Sequence, residues 1–391
     1  MSRAPSSSPS LTFAFSGAVA MAAAMGFGRF FYTPVLPGMM SGLSLSAADA
    51  GLIAAGNFAG YLLGAVLSAY GWATGRERKV ALAALIATAV LLAAMAASSS
   101  LAAFILIRFS AGLASAFAMI FTSSIVLPLA AGRDAAQAIH FGGVGAGIAF
   151  SSFVAFVVNA RAGDAAHGWR INWLAGALIA VLAFAFIAKT LPRPAAGHVP
   201  AAEPPIRWAR PLVLLTLSYG LFGFGYVVTA TFLIAMARSV AAGAVVEFLA
   251  WFVTGLAAAA SLYLWRPVVR RFGMAKVYAL CLAIEAAGVL ASVLLPPIAG
   301  ILSGGLLLGL TFMAITAYGL QVARILSPES PRRAFAFMTA AFGTGQILGP
   351  LVAGWATAAT ASFTLGTILA AIALAISLLL VLPVVRHTAR S

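Results

Sequence analysis

Long apolar segments recur along almost the whole chain, and they constrain its fold more than any other feature. Between Leu11 and Val385, apolar runs of roughly 20 residues alternate with short polar breaks, and each is long enough to cross the ~30 Å hydrocarbon core of a bilayer as a helix. With 63% hydrophobic and 8% charged residues and a mean hydropathy of +1.07, the chain is predicted to be an integral membrane protein. Twelve spans, numbered 1 to 12 in chain order, are predicted at 11–40, 48–71, 79–97, 101–127, 137–159, 170–190, 211–236, 245–266, 275–295, 298–321, 333–357 and 361–385.

The basic residues are distributed unequally between the two sides of the predicted membrane. Of the 23 Lys and Arg residues, 18 fall on the side of the N-terminus, three (Arg161, Arg170 and Arg238) on the other side, and two (Arg29 and Arg108) within spans. The 18 are Arg3, Arg76, Arg78, Lys79, Arg133, Lys189, Arg193, Arg207, Arg210, Arg266, Arg270, Arg271, Lys276, Arg324, Arg332, Arg333, Arg386 and Arg390. Because cytoplasmic loops carry an excess of positive charge, both termini are predicted to be cytoplasmic in a bacterial inner membrane. The net charge of +15 therefore indicates orientation and does not point to nucleic acid.

A proline-rich segment divides the spans into six and six. Residues 191–210 contain five prolines and are predicted to form a cytoplasmic linker between an N-terminal six-helix bundle, 11–190, and a C-terminal six-helix bundle, 211–385. Residues 1–10, rich in Ser and Pro, are predicted to be a disordered tail, and 386–391 a short C-terminal tail.

Two glycine patterns recur at matching positions of the two halves. Gly26-Phe27-Gly28 in span 1 matches Gly223-Phe224-Gly225 in span 7 with a shift of 197 residues, and Phe141–Gly145 in span 5 is echoed by Phe342–Gly345 in span 11. Close helix packing alone could explain either pattern. Two echoes at the same ordinal positions instead indicate a duplicated bundle, which is common in transporters.

Together these features resemble the major facilitator superfamily, over nearly the whole chain. The resemblance rests on the six plus six spans, the basic loops after spans 2 and 8, Arg108–Gly112 in span 4 and the glycine-rich span 5. More narrowly, Gly26–Pro37 with Asn57–Tyr61 is similar to the bacterial YbfB/YjiJ-type branch. The resemblance implies an all-α membrane protein of twelve transmembrane helices in two pseudo-symmetric six-helix bundles, with spans 1 and 4 bordering a central cavity. One departure is the loop Gly71–Lys79, which lacks the usual Asp and puts the superfamily's cytoplasmic charge-relay gate in doubt.

Arg29 and Arg108 are the first candidates for a substrate site. A charge at mid-bilayer costs at least ~2.5–3.5 kcal/mol, so it must face a protein interior or an aqueous cavity. Arg29 lies roughly 12 Å and Arg108 roughly 10 Å from the outer end of its span, so the two guanidinium groups can share a level. No acidic residue in the membrane interior of the first half matches them. Unmatched guanidinium groups suit a carboxylate or phosphate, whereas helix packing or proton coupling is the competing role for Arg108.

Five further polar residues are predicted to bind substrate. Tyr32 lies three residues after the first arginine, on nearly the same helical face. Asn57 in span 2 either lines the cavity or bonds another helix. In the second half, Tyr226 aligns with the first arginine under the 197-residue shift, and Tyr318 and Gln346 add polar groups on spans 10 and 11.

Three titratable residues are candidates for proton coupling. Glu285 is near the middle of span 9, where burial makes protonation cheap relative to ionisation, although a neutral structural role competes. Glu247 lies near the outer end of span 8 and His140 at the inner start of span 5, and for both a solvated, structural role competes.

The sequence predicts a secondary transporter and no enzyme. The dispersed histidines and the single Cys281 offer no metal site, no nucleotide-binding glycine loop ends in Lys-Ser/Thr, and no catalytic set can be named, so no cofactor is expected. The predicted partners are the lipid bilayer, protons and a small-molecule substrate, an organic anion moved by a monomer through alternating access with ion coupling or exchange. The alternative is a proton-coupled efflux pump for amphipathic compounds, favoured by Phe30, Phe224 and Trp251. A membrane sensor or scaffold is less favoured because such proteins normally carry an appended soluble domain.

Overall fold

The computed structural model describes residues 9–129, 134–162, 167–193 and 203–388, and its elements are helices. Within those residues, twelve helices are long and apolar enough to cross a membrane, which confirms the predicted number and order of the spans. Span 1 comprises Pro9–Met21, Ala22–Phe30 and Tyr32–Leu43, and spans 2 to 12 are Ala47–Ser68, Glu77–Ala97, Leu101–Leu129, Asp134–Ala162, Gly168–Thr190, Arg210–Ser239, Ala244–Phe272, Met274–Leu294, Pro297–Leu326, Pro331–Thr360 and Thr364–Thr388.

The even number of spans brings both ends of the described chain to one side of the bundle, here called the termini side; the other is the far side. Most bounds lie within a few residues of the predicted ones. Spans 8 and 10 extend further on the termini side, to Phe272 and Leu326 instead of 266 and 321.

The predicted tails and linker fall partly outside the described residues. Of the tail 1–10, residues 1–8 lie outside, and of the linker, residues 194–202. Span 12 continues to Thr388, and 389–391 lie outside. The domain boundaries stay predictions.

The helices form two six-span bundles, and their longest contacts with each other run along two pairs of spans. In the first bundle span 2 packs on span 4, and in the second span 7 packs on spans 11 and 12. Between the bundles, span 2 runs along span 11 and span 5 along span 8. A Cβ added at Gly51 would lie 2.3 Å from the carbonyl oxygen of Pro350, and one at Gly145 would lie 2.2 Å from the nitrogen of Ala259. The glycines therefore permit the close approach of the two bundles.

The described end of the linker docks on the start of span 11. Both oxygens of Glu203 accept hydrogen bonds from the backbone N–H of Arg332, each at 3.1 Å, and one accepts a third from the side chain of Arg332 at 2.9 Å. The backbone N–H of Arg333 donates to the same carboxylate at 3.1 Å. Burial alone would raise the pKa of Glu203, but these hydrogen bonds hold it below its usual value. The carboxylate thus satisfies free N–H groups at a helix N-terminus.

Candidate functional site

Span 1 changes helix type at the residues that the sequence singles out. Ala22–Phe30 forms a π-helix between the α-helical segments Pro9–Met21 and Tyr32–Leu43. Hydrogen bonds in a π-helix join residues five apart, and such turns are frequent at functional sites. Arg29 occupies the last turn of this π-helix. The irregular turn thus positions the side chain of the first predicted site residue.

Arg108 of span 4 is buried and holds the end of this turn. Its Nη1 donates to the carbonyl oxygen of Gly28 at 2.9 Å, and its Nη2 to that of Arg29 at 2.7 Å. The guanidinium carbon lies 5.2 Å from the ring centroid of Tyr32 and 5.9 Å from that of Trp173. Its Nε has no hydrogen-bond partner among the described residues. Two donor nitrogens of Arg108 are therefore committed to the backbone of span 1.

Arg29 differs from Arg108 in its hydrogen bonding, because its charge is buried with few polar contacts. The residue is 4% exposed, and its Nε and Nη2 have no hydrogen-bond partner within the described chain. The guanidinium carbon lies 4.0 Å from the ring centroid of Tyr61, 4.8 Å from that of Phe58 and 5.5 Å from that of Phe30. Cation–π attraction offsets part of the cost of burial. Two donors remain for a ligand.

Both arginines line one small cavity at the interface between the bundles. Its volume is about 10 Å³, room for about one water molecule. Residues of span 7, including Ala230, close it on the side of the second bundle. There the hydroxyl of Thr33 donates to the carbonyl oxygen of Ala230 at 2.6 Å. These two residues are 197 positions apart, the offset of the glycine echo, so equivalent points of spans 1 and 7 meet at the centre.

Tyr32 and Asn57 lie beside the two arginines, and each already has a partner. The hydroxyl of Tyr32, which lines the cavity, donates to the carbonyl oxygen of Ala50 at 3.0 Å. The Nδ2 of Asn57 donates to the backbone oxygen of Arg108 at 3.0 Å, and its Oδ1 lacks a partner among the described residues. Both side chains therefore bond span 2 to its neighbours.

The second bundle contributes aromatic rings and amides in place of charge. Tyr226 is buried and its hydroxyl accepts a hydrogen bond from Nε2 of Gln346, whose Oε1 has no partner in the described residues. The ring of Tyr226 lies nearly parallel to those of Phe312 and Phe342. Tyr318 is buried on span 10, roughly 9 Å nearer the termini side than Phe312. The aromatic surface faces the first bundle through Phe312, whose ring meets that of Phe30.

Glu285 lies in the interior of the second bundle, between spans 9 and 10. It is 1% exposed, its Oε2 contacts the hydroxyl of Thr311, and its Oε1 has no partner in the part of the chain described. The Thr311 hydroxyl also lies 2.6 Å from the carbonyl oxygen of Leu307. The carboxyl group is separate from the cavity that the two arginines line.

Glu247 and His140 lie at opposite ends of the bundle. Glu247 accepts hydrogen bonds from Nε and Nη2 of Arg238 at 2.9 and 2.5 Å, and this pair lines a cavity of about 680 Å³ on the far side. His140 is fully buried; its Nε2 bonds Ser123 Oγ at 2.9 Å, and its Nδ1 has no partner in the described chain. The three candidates for proton coupling are thus not brought together.

The structure gathers Arg29, Tyr32, Asn57 and Arg108 in one region, with Tyr226 and Gln346 facing them. The sequence does not predict two groups of aromatic residues at this site. Phe58 and Tyr61 contact the guanidinium group of Arg29, and the rings of Phe312 and Phe342 lie parallel to that of Tyr226. Tyr61 stands four residues after Asn57, one helical turn away. Phe342 is the first residue of the glycine pattern Phe342–Gly345 in span 11. Their proximity to the site could have been inferred from those positions.

Comparisons with known proteins agree with this architecture. The nucleoside transporter NupG, in its D323A mutant, superposes with a TM-score of 0.74 at 14% identity, over 95% of this chain and 98% of that one. A bacterial homologue of the human lysosomal transporter Spinster, inward-facing and occupied, superposes with a TM-score of 0.68 at 16% identity, over 97% and 96%. At such identities the likeness shows the fold. No curated protein sequence matches this chain.

The family assignment rests on the sequence itself. The family model described as "Uncharacterised MFS-type transporter YbfB" matches residues 21–382, which include both bundles. Both structural neighbours are transporters as well. The chain therefore belongs to the YbfB-type family of the major facilitator superfamily, and it is a multi-pass membrane transporter and not an enzyme.

Proposed function

We propose that this transporter moves a small organic anion by alternating access, with Arg29 as the principal counter-charge. One observation carries the proposal: Arg29 is buried at the bundle interface with two unbonded donor nitrogens and no carboxylate beside it among the described residues. Removing an ion from water costs several kcal/mol even in real proteins. Cation–π contacts recover about 0.5–2 kcal/mol each. An anionic ligand would supply the missing compensation.

The second arginine strengthens the preference for an anion. Arg108 lines the same cavity, and the two like charges repel each other. Its Nη groups hold the π-turn, so we assign it chiefly to positioning Arg29, with Nε free to face a ligand. A carboxylate or phosphate between the two side chains would reduce their repulsion and satisfy the open donors.

The size of the central cavity supports movement between conformations. At about 10 Å³ it admits no organic anion, so a ligand can enter only if the bundles separate. Separation on one side would break the bond from Thr33 to Ala230 and the ring contacts of Phe30 with Trp251 and Phe312. These contacts are few in comparison with the packing of span 2 along span 11. Rocking of the two bundles about a central site is the mechanism that such repeats permit.

We further propose that Glu285 carries a coupling proton. The Thr311 hydroxyl donates to Oε2 of Glu285, and Oε1 has no partner among the described residues. This buried carboxyl group therefore has an open oxygen that a proton could occupy. Glu247 is a weaker candidate because Arg238 already neutralises it, and His140 is a further candidate because its Nδ1 is unbonded.

We infer the orientation of the protein in the membrane from the distribution of its Lys and Arg residues. The 18 basic residues of the termini side against three of the far side favour cytoplasmic termini in a bacterial inner membrane. The far-side cavity would then face outward, but its arginine is paired with Glu247. For this reason we place the anion at the central arginines and not in the larger cavity.

Thermal unfolding of the purified protein with matched ligands tests the proposal. A ligand that binds the folded state raises the apparent Tm, so a carboxylate that binds should stabilise the protein while its methyl ester does not. Arg29→Lys keeps the charge but loses the planar fork, and it should abolish the shift. Arg161→Lys, on an exposed side chain at the end of span 5, is the control and should retain it. An ester as effective as its acid, or an unchanged shift in Arg29→Lys, would reject Arg29 as a substrate counter-charge.

A further inference from the structure

The aromatic residues of the second bundle form an array unlike the other ring contacts of this chain. The array consists of Tyr219, Phe222, Tyr226, Phe312 and Phe342. The planes of Tyr226 and Phe312 differ by 2° with centroids 5.9 Å apart, and those of Tyr226 and Phe342 by 5° with centroids 5.6 Å apart. Three side chains thus present nearly parallel faces.

Among the ring pairs of the described residues, planes within 27° of each other occur only in this array. Elsewhere the rings meet tilted or edge-on, as Phe31 and Trp173 do at 79° and Phe104 and Trp169 at 79°. Edge-on contacts fill a core well because ring edges meet ring faces. An array of parallel faces instead offers flat π surfaces on which another planar ring can stack.

The array reaches the unpaired arginine through one side chain. The ring of Phe30 lies 6.3 Å from that of Phe312, and the Arg29 guanidinium lies 5.5 Å from the ring of Phe30. A charged subsite and an aromatic subsite therefore lie side by side, one on each bundle.

Two features fix the array and leave one part of it accessible. Gln346 donates to the hydroxyl of Tyr226 and so fixes the position of that hydroxyl, while the rings of Phe222, Phe312 and Phe342 pack against the Tyr226 ring and hold its plane. Phe342 is only partly buried, in contrast to Tyr226 and Phe312. The array is therefore held in place, and Phe342 is its most exposed ring.

We propose, on the basis of the anion transport proposed above, that the substrate is a planar aromatic anion. Its carboxylate binds the free donors of Arg29 on the first bundle, and its ring stacks on the array of the second. Binding would then engage both bundles at once. An anion without a flat ring would satisfy the arginine but not the array.

Benzoate and cyclohexanecarboxylate are matched probes for this proposal. Both have a six-membered carbon ring and an ionised carboxylate at neutral pH, and only benzoate is flat and aromatic. Calorimetric titration of the protein in nanodiscs should give benzoate an affinity about 2- to 12-fold higher, the range expected for one ring contact. Equal affinities would overturn the aromatic substrate and leave the anion site standing. Failure of both to bind, or methyl benzoate competing as well as benzoate, would overturn the anion site too.

Variants separate the ring subsite from the charge subsite. Phe342→Leu should lower benzoate affinity to that of cyclohexanecarboxylate and leave the latter unchanged, while Phe342→Tyr should keep the preference. Phe337→Leu is the control. Phe337 also lies in span 11, but its exposed ring packs on Trp208, so this variant should behave as wild type. Arg29→Lys should weaken both ligands alike. A benzoate preference that survives Phe342→Leu in a folded protein would refute the stacking subsite.

Discussion

Replacing Arg29 and Arg108 by methionine, one at a time, should affect the stability of the protein very differently, although both arginines are buried. Methionine is long, flexible and apolar, so it fills most of the space of either side chain. In Arg108→Met, the carbonyl groups of Gly28 and Arg29 lose the donors that lie 2.9 and 2.7 Å away. A hydrogen bond to a charged group is worth about 1.5–3 kcal/mol, so loss of the two bonds should cost about 3–6 kcal/mol of unfolding free energy, partly offset by removal of a buried charge.

Arg29→Met removes no hydrogen bond from Nε or Nη2, because neither atom makes one within the described chain. It loses three cation–π contacts of about 0.5–2 kcal/mol each, of which the upper value applies to desolvated sites. It also removes the desolvation cost of an uncompensated ion, several kcal/mol. The two terms are of similar size, so the variant should be as stable as the wild type or more so, while ligand binding is lost.

Thermal unfolding of both variants in the same detergent measures the difference. We expect a clear drop in apparent Tm for Arg108→Met, no drop for Arg29→Met, and no change for Arg161→Met, in which an exposed arginine is replaced. If Arg29→Met is destabilised as strongly as Arg108→Met, then Arg29 is bonded in the folded protein, and the argument for an empty anion site fails.

Four further predictions concern other parts of the molecule. Glu285→Gln should abolish accumulation driven by a proton gradient but retain substrate counterflow in proteoliposomes, since exchange moves no net proton; unchanged accumulation would reject the coupling role. Tyr32→Phe should cost about 0.5–1.5 kcal/mol of stability, the value of one hydrogen bond, without weakening ligand binding, because the hydroxyl donates to span 2; a loss of affinity in titration would place that hydroxyl on the ligand. The pKa of Glu203 is lowered in the folded protein, so the contribution of its docking is complete above the ordinary carboxyl range and lost as pH falls through the lowered pKa. Hydrogen exchange at the start of span 11 should rise on acidification, and already at neutral pH in Glu203→Gln, whereas equal protection in the variant would contradict the docking role. A cysteine at Pro200, in a Cys281→Ala background, should resist an impermeant thiol reagent in intact cells, and labelling from outside would reverse the topology.

The membrane fold could be predicted from the sequence because it depends on properties that accumulate over many residues. Twenty apolar residues in a row permit few structures in lipid, so all twelve spans were predicted in the right order. The least accurate ends belong to spans 8 and 10, which continue to Phe272 and Leu326 where basic and polar residues remain helical beyond the hydrocarbon. Hydropathy marks the edge of the apolar run, and a helix can extend past it.

Parts of the site could be predicted and parts could not. A charge deep in a span is costly, so the sequence alone singles out Arg29 and Arg108 as candidates. Their different environments depend on the π-helix of Ala22–Phe30, which has no simple signature in the amino-acid sequence. Phenylalanine is common in membrane helices, so nothing in the sequence marks Phe312 and Phe342. Only the packing of spans 7, 10 and 11 makes their rings parallel to that of Tyr226.

The irregular features of this molecule coincide at one place, and that coincidence is an argument for function. The carbonyls of Gly28 and Arg29, at the end of the π-turn, accept hydrogen bonds from Arg108 of span 4. Such a turn, and a buried charge at Arg29 with two donor nitrogens unpaired within the described chain, each reduce stability, and stability alone would select against both. Proteins keep local departures of this kind where function requires them. In this transporter they meet at the interface between bundles, where movement of one bundle against the other can open the arginine to one side of the membrane at a time.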